Sequence, residues 1–228
     1  MKPYIIVNAA MTLDGKIASN KGNTEISGKE DLERVHLLRK ELDAIMVGIG
    51  TVLSDNPRLT AYRVSSNKSD NPIRIIVDNK ARTPLDSKVL NDEAKTIIAV
   101  SSLCNKNNQN CVVEYVNRAK ELSKKAEIFY SSKDNIDLNE LMDYLYHKGI
   151  KTLMVEGGST LNFSMIKENL IDEIRVCIAP MIVGGKDAKT LCDGEGFNLM
   201  KESVKLNLEK SYKLGKDLIL EYKVLKEK

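Results

Sequence analysis

Residues 44–60 read AIMVGIGTVLSDNPRLT. Ala44, Ile45, Met46 and Val47 form a short apolar run that stops at glycine, the pattern of a strand buried on both faces. Gly48-Ile49-Gly50 is expected to turn the backbone, and Thr51-Val52-Leu53 to open a helix. Asp55-Asn56-Pro57 ends that helix, because the residue before a proline is pushed out of the α region. Arg58 follows, a cation next to a carboxylate and a hydroxyl. A strand, a glycine turn and a helix amino end together suit a bound phosphate or pyrophosphate. An ordinary tight strand–helix connection has the same local pattern.

Two glycines invite the dinucleotide fingerprint G-x-G-x-x-G, but Leu53 stands where the third glycine belongs. Asp78 also lies farther on than the ribose-binding acid of that fingerprint should. The standard Rossmann arrangement is therefore rejected.

On the amino-terminal side, Tyr4 to Met11 reads as a central strand, apolar on both faces. It runs into Thr12-Leu13-Asp14-Gly15-Lys16, which brings a carboxylate and an amine to a strand's carboxyl end, where open α/β sheets bind ligands. Ser27-Gly28-Lys29-Glu30 has capping-box spacing, with Ser27 at the N-cap of a helix reaching about Leu42. His36 and Arg39 share one face of that helix.

On the other side, Val64 to Asn71 is polar and reads as a surface loop. Ile73 to Val77 is a strand that delivers Asp78, Asn79 and Arg82 at its carboxyl end. Thr96 to Val100 and Glu127 to Tyr130 are further strands, with a helix over Val112 to Lys125 between them. Asp137 caps a helix with an apolar stripe at Leu138, Leu141, Met142 and Leu145, stopped by Gly149. Thr152 to Val155 feeds Glu156-Gly157-Gly158-Ser159-Thr160 and a helix, the second phosphate-friendly turn in the chain. Glu173 to Ala179 is a strand, and Val204 to Tyr212 pairs with Asp217 to Val224 in an antiparallel hairpin. The alternation predicts an α/β fold, mostly parallel, with an antiparallel edge, in one domain over residues 1–228.

Composition sets outer bounds. The 228 residues are 42% hydrophobic and 29% charged, as in a globular protein. Thirty-five basic against thirty-two acidic residues give +3, too balanced to imply nucleic-acid binding. Cys104, Cys111, Cys177 and Cys192 form no C-x-x-C pair, so no metal site is expected and free thiols in a reducing cytoplasm are. No stretch has the length of a membrane span. A soluble cytoplasmic protein is expected.

Five motifs, in this order, resemble the riboflavin-biosynthesis reductase family. They are Met11 to Lys16, Val47 to Leu53, Asp55 to Thr60, Glu156 to Asn162, and Ile178-Ala179-Pro180 with Gly184-Gly185. The resemblance covers nearly the whole chain and implies a dihydrofolate-reductase-like fold. The zinc deaminase that bacterial members carry, with its H-x-E and P-C-x-x-C signature, has no counterpart here. The resemblance thus implies the stand-alone form, which reduces 2,5-diamino-6-ribosylamino-4(3H)-pyrimidinone 5′-phosphate with NADPH, by hydride transfer to C1′ of the ring-opened Schiff base.

By position in those motifs, Thr51 and Asp55 are expected to contact NADPH, and Gly157, Gly158, Ser159 and Thr160 to bracket its pyrophosphate. Asn79 and Arg82 are candidates for the adenosine end. Lys16 and Glu156 are the catalytic candidates. Arg39 and Arg58 are expected at the 5′-phosphate, which guanidinium groups bind in bidentate fashion, with Ser27 as a further phosphate ligand. Lys16, Asp14, Glu156 and water all remain open as proton donor. A homodimer is implied as well. Reduction of the deaminated pyrimidine, a pterin or dihydrofolate reductase, and a non-catalytic NADPH-binding module are the competing readings.

Overall fold

A computed structural model describes residues 1–226. In chain order its elements are β1 (Tyr4–Thr12), α1 (Lys29–Glu41), β2 (Ala44–Gly48), α2 (Ile49–Asp55), β3 (Ile73–Val77), β4 (Thr96–Val100), α3 (Val113–Leu122), β5 (Glu127–Tyr130), α4 (Leu138–His147), β6 (Thr152–Val155), α5 (Ser159–Lys167), β7 (Glu173–Ala179), β8 (Lys205–Leu214) and β9 (Asp217–Leu225). The chain groups into two compact units. The first joins Met1–Pro3 to Leu38–Leu153, and the second joins Tyr4–Leu37 to the chain from Met154 onward.

The first unit holds parallel strands in the order β5-β4-β3-β2. Ala44, Ile45, Met46 and Val47 of β2 are fully buried, as are Ile75 and Ile76 of β3. Burying each such isoleucine contributes about 2 kcal/mol, which is why apolar runs without alternation settle here. Asp137 caps α4, its Oδ1 accepting from the amides of Asn139 and Glu140. Leu138, Leu141, Met142 and Leu145 are buried along one stripe, and Gly149 ends the helix region with φ +90°.

In the second unit β1 and β7 run parallel, Thr12 opposite Ala179. β9 pairs antiparallel with β7 and with β8, and the register of the hairpin shifts between Leu208 and Lys210. The α/β class with a parallel body and an antiparallel terminal hairpin is the one the sequence predicts.

Four local expectations need correction. Gly48 alone makes the turn after β2, as the N-cap of α2; Ile49 and Gly50 lie inside that helix. α1 begins at Lys29, so Ser27 precedes the cap, and its hydroxyl bonds Asp31 at 2.5 Å instead of closing a box with Glu30. α3 spans Val113–Leu122, shorter than the expected 112–125. The hairpin strands extend to Leu214 and from Asp217, so the connection is only Gly215-Lys216.

Candidate active site

In the first unit, the carboxyl ends of β2 and β3 lie side by side, Gly48 opposite Val77. α2 therefore starts next to the segment that carries Asp78, Asn79 and Arg82. Thr51 is half-buried on α2, and Asp55 is exposed at its last position. Gly50 is exposed, and a Cβ built on it would meet nothing within 4 Å. Its φ is not positive, so neither backbone conformation nor crowding within the chain requires glycine. A helix-interior glycine costs about 1 kcal/mol against alanine. The bare backbone there fits the close approach of a dinucleotide.

After β3, Asp78 is fully buried and its Oδ2 accepts from the amide and hydroxyl of Thr83 at 2.7 and 2.8 Å. Arg82 is half-exposed, with its Nε 3.8 Å from Asp78 Oδ1. The Asn79 side chain is spent within the fold: its Oδ1 accepts from the Ile136 amide at 2.9 Å, and its Nδ2 faces Asn135.

Beyond α2 the chain turns through two non-glycine residues in the left-handed region, Asn56 at φ 42° and Leu59 at φ 53°. Each such residue costs roughly 1–2 kcal/mol, so the segment needs anchors. Leu59 is buried, and Arg39 donates to the Thr60 carbonyl at 3.2 Å. Asn71 Oδ1 accepts from the Ala61 amide at 2.9 Å. Arg58 stands exposed between them, its guanidinium 5.3 Å from the Tyr62 ring centre. Arg39 and Arg58, expected together at a phosphate, thus meet at one segment, Arg39 as an anchor of its main chain.

The second unit assembles a different set. Gly15, at φ 78°, turns the chain after β1, and Thr12 donates from Oγ1 to Asp14 at 2.6 Å. Asp14 also accepts from the amides of Val183 and Gly184, at 3.2 and 2.7 Å. The Thr12 hydroxyl above all, then the Gly184 and Val183 amides, hold its carboxyl down at about 2. Lys16 donates from Nζ to the Ala188 carbonyl at 3.0 Å and makes a backbone bridge with Thr190.

Asp193 joins this turn to the amino end of α5. It accepts from Thr190 Oγ1 at 2.6 Å and from Ser159, and its amide donates to the Ser159 carbonyl at 3.3 Å. Burial pushes the Asp193 carboxyl up, but the bonds from Thr190 and Ser159, with the charge of Lys16, hold it below the usual range. Ser159 is buried and its hydroxyl faces this carboxylate, while Thr160 is exposed.

Gly158 is the N-cap of α5 and caps it with no side chain, which leaves the first-turn amides open to an anion. Gly157 has φ 95°, a value that favours glycine, and the Gly157–Gly158 peptide is cis. Glu156, half-buried, immediately precedes them. Lys16, Ser159 and the Gly157-Gly158 turn are therefore brought together around Asp193. Ser27 donates from its hydroxyl to the buried Asp31 at 2.5 Å.

Asp193, Thr190 and the buried Arg74 of β3 were not singled out from sequence. Thr190 and Asp193 have turn-like spacing and nothing more. Arg74 does carry a signal, a lone cation inside an apolar parallel strand.

The chain matches the family model described as the RibD C-terminal domain over residues 3–220. It is 56% identical over 224 residues to the 2,5-diamino-6-ribosylamino-4(3H)-pyrimidinone 5′-phosphate reductase of Methanothermobacter thermautotrophicus, covering 98% of this chain and 99% of that one. It is 44% identical to the protein of that name from Archaeoglobus fulgidus, over 86% and 89% of the two chains. The structure of Acinetobacter baumannii RibD superposes with a TM-score of 0.78 at 23% identity, over 98% of this chain and 58% of that longer one. On the extent and level of these matches, the chain belongs to the RibD C-terminal domain family of riboflavin-biosynthesis reductases.

Proposed function

We propose that this protein is the NADPH-dependent reductase that converts 2,5-diamino-6-ribosylamino-4(3H)-pyrimidinone 5′-phosphate to its ribitylamino product. The observation that carries this reading is Lys16 held beside the uncapped amino end of α5 through Asp193. The naming of the two archaeal relatives supports the choice of substrate. When bound, the nicotinamide supplies hydride to C1′ of the ring-opened sugar, and the protein's work is placement and charge.

In this reading the Gly157-Gly158 turn and the first amides of α5, with Ser159 and Thr160, receive the cofactor pyrophosphate. In the first unit Thr51, Gly50 and Asp55 contact the cofactor, and Arg82 takes its adenosine end, where a guanidinium favours a 2′-phosphate. Arg58 binds the substrate 5′-phosphate, with Arg39 holding the neighbouring main chain. Lys16 carries the transferable protons and Glu156 holds the sugar hydroxyls. Asn79 serves the adenosine end by holding the main chain at Ile136.

Residues 1–228 act as one reductase domain, soluble in the cytoplasm; no helix of the described residues is long and apolar enough to cross a membrane. We also propose a homodimer. β8 ends the strand order and is exposed along nearly its whole length, with Leu206, Leu208 and Tyr212 on it. A long exposed edge of this kind needs a partner. Light scattering after size exclusion checks it, and a clean monomer at micromolar concentration removes it.

The test of the reaction is the loss of reduced-nicotinamide absorbance with the diamino and the deaminated pyrimidine in parallel. Turnover of the diamino form alone is expected. Preference for the deaminated form would reverse the order of reduction and deamination. Turnover of neither would leave a binding module.

A further inference from the structure

Arg74 lies in the middle of the apolar strand β3 and is fully buried. Its bonds run to neutral acceptors. Nε donates to Thr96 Oγ1 at 3.0 Å. Nη1 is shared among the carbonyl of Lys88 at 3.1 Å, Asn91 Oδ1 at 2.9 Å and the carbonyl of Arg58 at 3.4 Å. Nη2 donates to the Asn91 carbonyl at 2.6 Å and to that of Ala94. Burial draws its pKa down to about 10, which still leaves a cation at neutral pH.

A buried charge of this sort is a weak stabiliser, and apolar residues of similar volume often replace one without loss. What an apolar residue cannot do is gather carbonyls from two separate segments. Asn56 Oδ1 accepts from the Lys88 amide at 2.8 Å, and the Lys88 carbonyl meets Arg74 Nη1, which also meets the Arg58 carbonyl. Asn56, Lys88, Arg74 and Arg58 thus form a closed circuit around the left-handed turns at Asn56 and Leu59. The main chain of Arg58 is fixed from inside while its side chain stays exposed.

We propose that Arg74 is a positioning residue for substrate phosphate, acting through the carbonyl of Arg58. The inference rests on the reading in which Arg58 binds that phosphate. Arg74 touches neither substrate nor cofactor; it sets where the Arg58 guanidinium starts from.

The test is steady-state kinetics of Arg74→Lys and Arg74→Gln with the phosphorylated pyrimidine and with its dephosphorylated form. Small misplacements of a binding group are costly, so KM for the phosphorylated substrate should rise about tenfold or more. Little change is expected in kcat, in KM for the dephosphorylated form, or in NADPH affinity. Added to Arg58→Ala, either Arg74 variant should cause no further loss. Equal rises for both substrates, full additivity with Arg58→Ala, or no change would overturn the proposal.

Arg58→Ala on its own separates the two levels. If it leaves KM unaltered, the phosphate reading fails and takes this inference with it. If it raises KM while the Arg74 variants do not, only this inference fails. Should neither Arg74 variant fold, Asn56→Gly at the exposed end of the circuit is expected to give the same split, and its absence there overturns the proposal too.

Discussion

Lys16 lays its ammonium on the carbonyl of Ala188, 3.0 Å away, across a stretch of 172 positions in sequence. The contact leaves other protons of Nζ to point elsewhere, since an ammonium has three donors. Lys16→Met is expected to fold and to lose about 10²-fold in kcat, the low end of what a positioned proton donor contributes. Pre-steady-state and steady-state rates at saturating NADPH measure it. A variant with full kcat would show that Lys16 only ties down the 188–190 segment.

Gly50→Ala separates folding from binding. Filling open space on a helix with a methyl should raise stability by roughly 0.5–1 kcal/mol, because alanine loses less backbone freedom than glycine. The same methyl should weaken NADPH binding at least tenfold if the cofactor backbone passes there. Thermal unfolding without cofactor and titration calorimetry with it give the two numbers. Higher stability with unchanged affinity would move the cofactor away from α2.

Asp14 predicts an acid response. Its carboxyl is held at about 2 in the fold against an ordinary value of 3.8. A depressed carboxyl contributes stability above the unfolded value and loses it as pH falls through the folded one. Between pH 4 and pH 2 the Val183 and Gly184 amides should lose protection from hydrogen exchange, and Asp14→Asn should abolish that pH dependence. Protection that is flat over this window in the unaltered protein would refute the role of Asp14 as anchor of the loop.

The thiols should react unequally. Burial pushes Cys104 and Cys192 up to about 11 and Cys177 upward as well, and Cys104 and Cys177 are also sealed from solvent. Since the thiolate is the nucleophile, Cys111 alone should react quickly with a disulfide reagent at pH 8, and the rest only on unfolding. Two or more fast equivalents in the folded protein would contradict this packing.

Most strands were legible because their apolar runs stop abruptly at glycine, aspartate or proline, as β3 does at Asp78 and β7 at Pro180. α4 was legible in full, since Asp137, the stripe from Leu138 and Gly149 all agree. The turn after β2 was misread because a glycine inside a short helix looks like a glycine in a turn until its φ is known. Ser27 was misread for a related reason: a capping box is defined by spacing, and a buried carboxylate one position farther, Asp31, captured the hydroxyl. The motif residues Lys16, Ser159 and the paired glycines do gather in one place. What joins them, Asp193, comes from a segment whose sequence advertises only a turn.

The pairing of β1 with β7 bears on how the chain is made. Ile5 and Asp172, bonded through the Ile5 amide, are separated by 167 positions. At synthesis rates of about 5–20 residues per second, the first strand waits on the order of ten seconds or more for its parallel neighbour. Residues 38–153 are contiguous and contain β2, β3, β4 and β5 whole, so these four strands can pair while the ribosome is still working. The turn at Thr12 to Lys16, whose bonds run to Met181, Ala188 and Thr190, is thus among the earliest residues to emerge and among the last to be completed.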